Sequence, residues 1–207
     1  MNQNIVITIN RMYGSGGRTV AEMLSKRLNI PYYDKDLSRL ASDESGISEA
    51  LFNQADEKVK NGLGLFKGKK YKGELLTPES KGFTTSENLF NYQAKVIKDL
   101  ANEESCVIVG RCANYILKDY DNVLSVFVHA PMEFCLEQAA LKKSLPLDEL
   151  EEFVLKTNKQ KENYYKYYTG SEWSDARNYD LCLDSSKLGF DRCVEEIISY
   201  MKVRFGE

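Results

Sequence analysis

Five short apolar runs punctuate this chain, and between them apolar residues recur every three or four positions. Ile5 to Ile9 is unbroken and rich in β-branched residues, the pattern of a strand covered on both faces. Ile30 to Asp34, Cys106 to Arg111, Val123 to Val128 and Tyr179 to Leu183 are the other strand candidates. Val20, Ala21, Leu24 and Leu28 keep helical spacing, and Asn29 can end that helix. Helical patterns broken around Gly46 run from Lys35 to Glu57, anchored by Ile47, Leu51 and Phe52. Thr84-Thr85-Ser86-Glu87 offers a capping signal for a long amphipathic helix through Phe90, Ala94, Ile97, Leu100 and Ala101. Further helices are predicted from Ala113, over Met132 to Lys143, over Leu147 to about Tyr168, and over Phe190 to Val203. Strands alternating with helices throughout predict a parallel sheet covered by helices on both faces. Ligands of such sheets sit beyond the carboxyl ends of the strands, where the Gly14 turn and Gly110-Arg111 lie.

Residues 58–82 break the pattern. They are rich in lysine and glycine, as in Lys67-Gly68-Lys69-Lys70-Tyr71-Lys72-Gly73, and read as a mobile insertion whose lysines either meet phosphates or are solvated. The 207 residues suit one domain carrying a lid or insertion. A net charge of -3 argues against a general nucleic-acid binder. The apolar runs are strand-sized, too short to cross a bilayer, and the first residues show no secretory leader, so the expected location is cytoplasmic. A homo-oligomer is compatible with this composition but has no signature in it. Cys106, Cys112, Cys135, Cys182 and Cys193 show no CxxC spacing, and Cys106 and Cys182 are expected as small core residues. His129 stands alone at a strand end, with no nucleophile pattern beside it.

The turn after the first strand, Gly14-Ser15-Gly16-Gly17-Arg18-Thr19, carries the chemistry. Amides of a tight glycine turn and of the next helix's first residues converge and favour an anion. A glycine turn kept for steric reasons alone is the competing reading. The phosphate-binding loop of kinases and ATPases, GxxxxGK[ST], puts a lysine and a hydroxyl residue where this chain has Gly17 and Arg18. That lysine stabilises charge on the transferring phosphoryl group, and the hydroxyl holds magnesium. Here Arg18 can reach back to supply the charge, and Thr19 stands one place late for the metal. An arginine at a helix start is unfavourable beside the positive end of the helix dipole unless an anion is bound.

Four segments together resemble the bacterial cytidylate-kinase-like family: Asn10 to Arg18, Ile30 to Asp36, Val109 to Ala113, and Tyr164 to Gly170 with Trp173. The likeness extends to about Ser186 and implies a three-layer α/β P-loop nucleoside-kinase fold. That fold has a five-stranded parallel sheet, helices on both faces and a helical lid at about 132–175, in a single domain over 1–207 with the 58–82 insertion on the acceptor side. The implied activity is transfer of the ATP γ-phosphoryl group to a nucleoside monophosphate, with Mg as cofactor and no nucleic-acid or membrane partner. The resemblance assigns Gly14, Ser15, Gly16, Gly17, Arg18 and Thr19 to the ATP phosphates, with Thr19 also on the metal. It assigns Asp34, Lys35, Arg39 and Arg111 to the acceptor, and Arg18, Lys159 and Lys161 to catalytic charge.

Relatives of this kind carry arginines after the fourth strand and before the tyrosines, whereas this chain has Cys135, Gln138, Asn158, Lys159 and Lys161 there. Lysine keeps the charge but loses the planar fork. Lys142, Lys143 and Lys156 join them as either a positive lid or a solvated helical face. Tyr164, Tyr165, Tyr167 and Tyr168 cannot share one helical face, so they pack the lid on the core with Trp173 or stack on a base. Two other functions stay open: a nucleotide-binding sensor or interaction protein with little catalysis, and a kinase for another small acceptor.

Overall fold

The computed structural model describes residues 4–57 and 71–206. Its strands are β1 (Val6–Arg11), β2 (Tyr32–Tyr33), β3 (Cys106–Val109), β4 (Val123–His129) and β5 (Leu181–Asp184). The helices are α1 (Gly17–Leu28), α2 (Asp36–Ser45), α3 (Glu49–Ala55), α4 (Ser86–Glu103), α5 (Ala113–Ile116), α6 (Met132–Ala140), α7 (Leu147–Thr169), α8 (Ser185–Leu188) and α9 (Phe190–Phe205). All five strands pair in parallel in the order β2-β3-β1-β4-β5. The expected sheet and its helical layers are therefore present. Val6 pairs with Cys106 on one side and Val123 on the other, which makes β1 the central strand.

Every residue of β1 is buried, as its unbroken apolar run requires. Side chains alternate between the two faces. Ile5, Ile7 and Ile9 join Val20, Leu24, Cys193 and Ile197 of α1 and α9 in one layer. Val6 joins Leu37, Phe52, Phe90 and Ile97 of α2, α3 and α4 in the other. Asn29 ends α1 in the left-handed conformation (φ 53°), and the Thr85 hydroxyl accepts from the Asn88 amide at the start of α4.

Some boundaries differ from the sequence pattern. β2 has two residues where Ile30 to Asp34 was expected, because Pro31 has no N–H for a ladder. β5 starts at Leu181 because Tyr179 still closes a turn onto the Ala176 carbonyl (3.1 Å). Cys182, expected in the core, is exposed: β5 is an edge strand, and the alternation that buries Leu183 turns Cys182 outward. Of the expected insertion, 58–70 lie outside the described residues. Residues 71–82 contain no helix or strand, and Asn88 ties them to α4 by accepting from the Leu76 amide (2.8 Å) and donating to the Phe83 carbonyl (2.7 Å).

The last turns of α7 enter the core. Tyr164, Tyr165, Tyr168 and Trp173 are buried, while the half-buried Tyr167 donates to Glu87 (2.7 Å). Phe90 stacks on Tyr168 with ring centroids 3.9 Å apart and meets Tyr164 edge-on at 5.9 Å. At its other end α7 packs with α6 in a small apolar cluster of Cys135, Ala139, Leu150 and Val154, against which Tyr13 rests. Phe90 thus joins α7 to the central layers. Phe90→Ala should cost about 3–5 kcal/mol through the cavity and the lost ring contacts. Urea unfolding checks this, and a loss below 1 kcal/mol would show that α7 does not depend on this stack.

Candidate functional site

The chain leaves β1 at Arg11, turns through Met12 to Gly16 and enters α1. Ser15 fastens the turn from below: its hydroxyl lies 2.9 Å from the Met12 carbonyl and 3.0 Å from that of Val128, and its own carbonyl accepts from the Ser185 hydroxyl at 2.6 Å. The first amides of α1 have no partner within the helix and face the turn. At Gly17, where a lysine would be expected, a Cβ would lie 2.4 Å from the Arg11 Cβ and 3.1 Å from the Val128 Cβ. No side chain fits there. The loop lacks its lysine because Arg11, buried at the end of β1, takes up that space.

A chain of ion pairs runs along the strand ends. Arg18 pairs with Asp34 (2.5 Å), Asp34 also pairs with Arg111, and Arg111 grips Asp56 with a two-pronged contact (2.8 and 2.7 Å). Arg11 pairs with Glu57 at 2.7 Å, and Glu57 also accepts from the Arg111 amide at 3.3 Å. Arg111 is 2 % exposed, and its guanidinium donates four hydrogen bonds, one to Asp34, two to Asp56 and one to the Val109 carbonyl, which explains how it tolerates that depth. Burial raises the Asp34 carboxyl, but Arg111, Arg11 and Arg18 outweigh it and hold its pKa below the usual range. Glu57 is held low in the same way against its burial, by Arg11, Arg111 and Lys161. Asp56 goes up, because burial and its neighbours Glu57 and Asp34 outweigh Arg111.

α7 closes the site from above. Asn158 accepts from the Tyr13 amide (2.7 Å), and one turn later Lys161 donates to the Arg11 carbonyl (3.2 Å). Burial, with Arg11 and Arg18 nearby, lowers the Lys161 pKa to about 7 although Glu57 and Asp34 oppose the shift. Between α7, α6 and the glycine turn lies a cavity of about 320 Å³, lined by Gly14, Gly16, Arg18, Thr19, Lys142 and Lys161 among others. Loop amides and buried cations around an open space can hold a phosphorylated ligand.

Comparison with known proteins agrees with this geometry. The family model described as "Cytidylate kinase-like family" matches residues 6–187. This chain belongs to that family. A cytidylate kinase of Sulfurisphaera tokodaii is 22% identical over 197 residues, 95% of each chain. One from Pyrococcus abyssi is 24% identical over 184 residues, 88% of this chain and 86% of the relative. Among solved structures, an uncharacterized protein from Eubacterium ventriosum superposes with a TM-score of 0.70 at 27% identity, over 96% of this chain and 99% of the other. A shikimate kinase from Bacteroides thetaiotaomicron gives 0.53 at 13% identity over 98% and 99%, a likeness of fold alone. The architecture is that of the P-loop kinases.

In this cytidylate kinase-like protein the residues expected at the site separate into two groups. Gly14 to Thr19, Asp34, Arg111 and Lys161 converge at the strand ends. Lys35 is exposed at the start of α2, Arg39 is exposed and pairs with Asp43 (3.1 Å), and Lys159 is exposed and pairs with Glu162 (2.8 Å). Arg11, Asp56 and Glu57 were not singled out in the sequence, yet they join the ion-pair chain. The available signal was an arginine ending a fully buried strand, which needs a carboxylate close by. Among the described residues no group of three or more His, Cys, Asp or Glu could hold a metal ion, and Thr19 lines the cavity beside the glycine turn.

Two outcomes follow from this packing. Gly17→Ala should destabilise the protein by about 1–3 kcal/mol, because the added methyl must push Arg11 aside; an unchanged urea midpoint would refute the steric account. For Lys161, the folded pKa of about 7 lies below the ordinary 10.5. Between those values the unfolded chain binds the extra proton, so this group makes stability rise with pH across that window. Lys161→Met removes the rise: unfolding free energies at pH 7 to 9 should show wild type gaining on the variant, and a flat difference would contradict a depressed lysine.

Proposed function

We propose that this protein is a phosphotransferase that moves the γ-phosphoryl group of ATP to a nucleoside monophosphate. The observation that carries this reading is the buried Lys161 side-chain amine, brought by α7 to the end of β1 beside a glycine turn that has no room for a lysine of its own. In this reading the amides of Gly14, Ser15, Gly16, Gly17, Arg18 and Thr19 would hold the ATP phosphates, and the Thr19 hydroxyl would be the ligand offered to magnesium. Magnesium, when bound with the nucleotide, supplies charge neutralisation on the phosphates. The chain's own residues then orient and stabilise. Arg18 and Lys161 place positive charge where the phosphoryl oxygens gather it, in a site where burial strengthens each charge. Arg111, with Asp34, faces the acceptor at the end of β3, and α6 and α7 form the lid that keeps water out. Lys35, Arg39 and Lys159 act from the surface, by steering the anionic substrates inward.

One observation favours a second reading, a nucleotide-binding protein without turnover: Arg11, Arg18 and Arg111 are all already paired with carboxylates. The experiment that separates the two is incubation with ATP-Mg and CMP, dCMP, UMP or AMP, following ADP formation. The phosphotransferase reading expects ADP with at least one acceptor, and Lys161→Met should lower kcat about 10²- to 10³-fold, the scale of losing one charge-stabilising donor. Nucleotide binding by calorimetry with no ADP from any acceptor would replace it with the second reading.

A further inference from the structure

Glu57 is the carboxylate least explained by the fold. It follows α3 in the left-handed conformation (φ 48°), which glutamate seldom adopts, and so reaches into the strand-end crevice. There its Oε1 accepts from the Arg11 guanidinium and from the Arg111 amide. That amide is aimed by a left-handed run of three residues, Gly110, Arg111 and Cys112 (φ 74°, 50° and 57°). Such conformations occur as single residues and not as runs, so the surrounding structure must hold this one in place. The floor is equally specific: a Cβ on Gly110 would lie 2.1 Å from Glu57 Oε1 and 2.7 Å from Arg11 Nη1. Lys161, bonded to the Arg11 carbonyl, lines the same cavity as Arg11 and Glu57. A guanidinium and a backbone amide converging on one carboxylate oxygen, at the edge of an open cavity, is an arrangement that can bind a phosphoryl group.

We propose that the Glu57 carboxylate occupies an oxyanion subsite formed by Arg11 and the Arg111 amide, and that a phosphoryl group displaces it on binding. The identity of the ligand as a nucleotide phosphate rests on the phosphotransferase reading; the subsite itself does not. Glu57 sets a threshold: only a ligand whose charge and geometry exceed those of one carboxylate opens the site. Arg11 becomes a ligand-binding residue once Glu57 leaves.

The probe is inorganic phosphate, titrated into full-length wild type, Glu57→Gln and Asp56→Asn and followed by thermal shift. Both variants remove one negative charge from the same ion-pair chain, but only Glu57→Gln replaces the charged occupant of the subsite by a neutral one that a phosphoryl group displaces more easily. If the open form is about a tenth of wild-type molecules, Glu57→Gln should bind phosphate about tenfold more tightly, with a smaller gain in Asp56→Asn. Adding Arg11→Met to Glu57→Gln should abolish the gain. No gain in Glu57→Gln, or an equal gain in Asp56→Asn, overturns the proposal. Should Glu57→Gln fail to fold, hydrogen exchange on wild type decides: phosphate should speed exchange at residues 55–57 while protecting the glycine turn. Unchanged or slower exchange at 55–57 in saturating phosphate overturns it. A gain in Glu57→Gln with no ADP formed from any acceptor keeps the subsite and removes the phosphotransferase reading. ADP formation without that gain removes the subsite alone.

Discussion

A guanidinium held almost wholly out of water at the end of β3 is the constraint around which the strand-end region is arranged. An unpaired buried cation is prohibitively costly, whereas a paired one is roughly neutral relative to an apolar core, so Arg111 demands partners more than it contributes net stability. Those partners come from two different parts of the chain: Asp34 after β2 and Asp56 after α3. Meeting the demand holds the ends of α2 and α3 against the carboxyl edge of the sheet. Asp34, shared between Arg111 and Arg18, then carries the same electrostatic link across to the first turn of α1. The crevice is thus shaped by charge pairing above a core that is shaped by apolar burial.

The glycine turn shows how one substitution within that frame displaces another. With Arg11 packed against Gly17, the turn cannot carry a lysine at that position, and α7 brings the Lys161 amine to the same end of β1. Asn158 and Lys161 lie three residues apart on one helical face, so the same docking that satisfies the Tyr13 amide positions the ammonium. Lys159 lies between them in sequence but on another face, and it meets Glu162 at the surface.

Much of the fold was legible in the sequence because it depends on local periodicity. The β1 run and the helix caps at Asn29 and Thr85 follow from patterns within a dozen residues, and the parallel sheet follows from strands alternating with helices along the chain. The glycine turn and Gly110-Arg111 were equally visible, since glycine marks backbone that few other residues can adopt. The contacts that make a site of them were not. Arg11 and Glu57 are 46 residues apart, and polar pairs leave no periodic trace. Choosing between Lys159 and Lys161 required knowing which face of α7 is covered, and that depends on Phe90 and Tyr168 stacking at the far end of the helix. Cys182 was misplaced because a short strand cannot reveal from its own residues that it will stand at a sheet edge.

The Lys161 bond to the Arg11 carbonyl spans 150 residues of chain. β1 and its turn are synthesised before α7, and the Lys161 amine that joins them belongs to a helix made much later. A chain that has not yet docked α7 lacks both the Lys161 contact on Arg11 and the Asn158 contact on Tyr13. The turn therefore reaches its final surroundings only when the later helix folds, and loosening α7 undoes both contacts while leaving every residue of the turn intact.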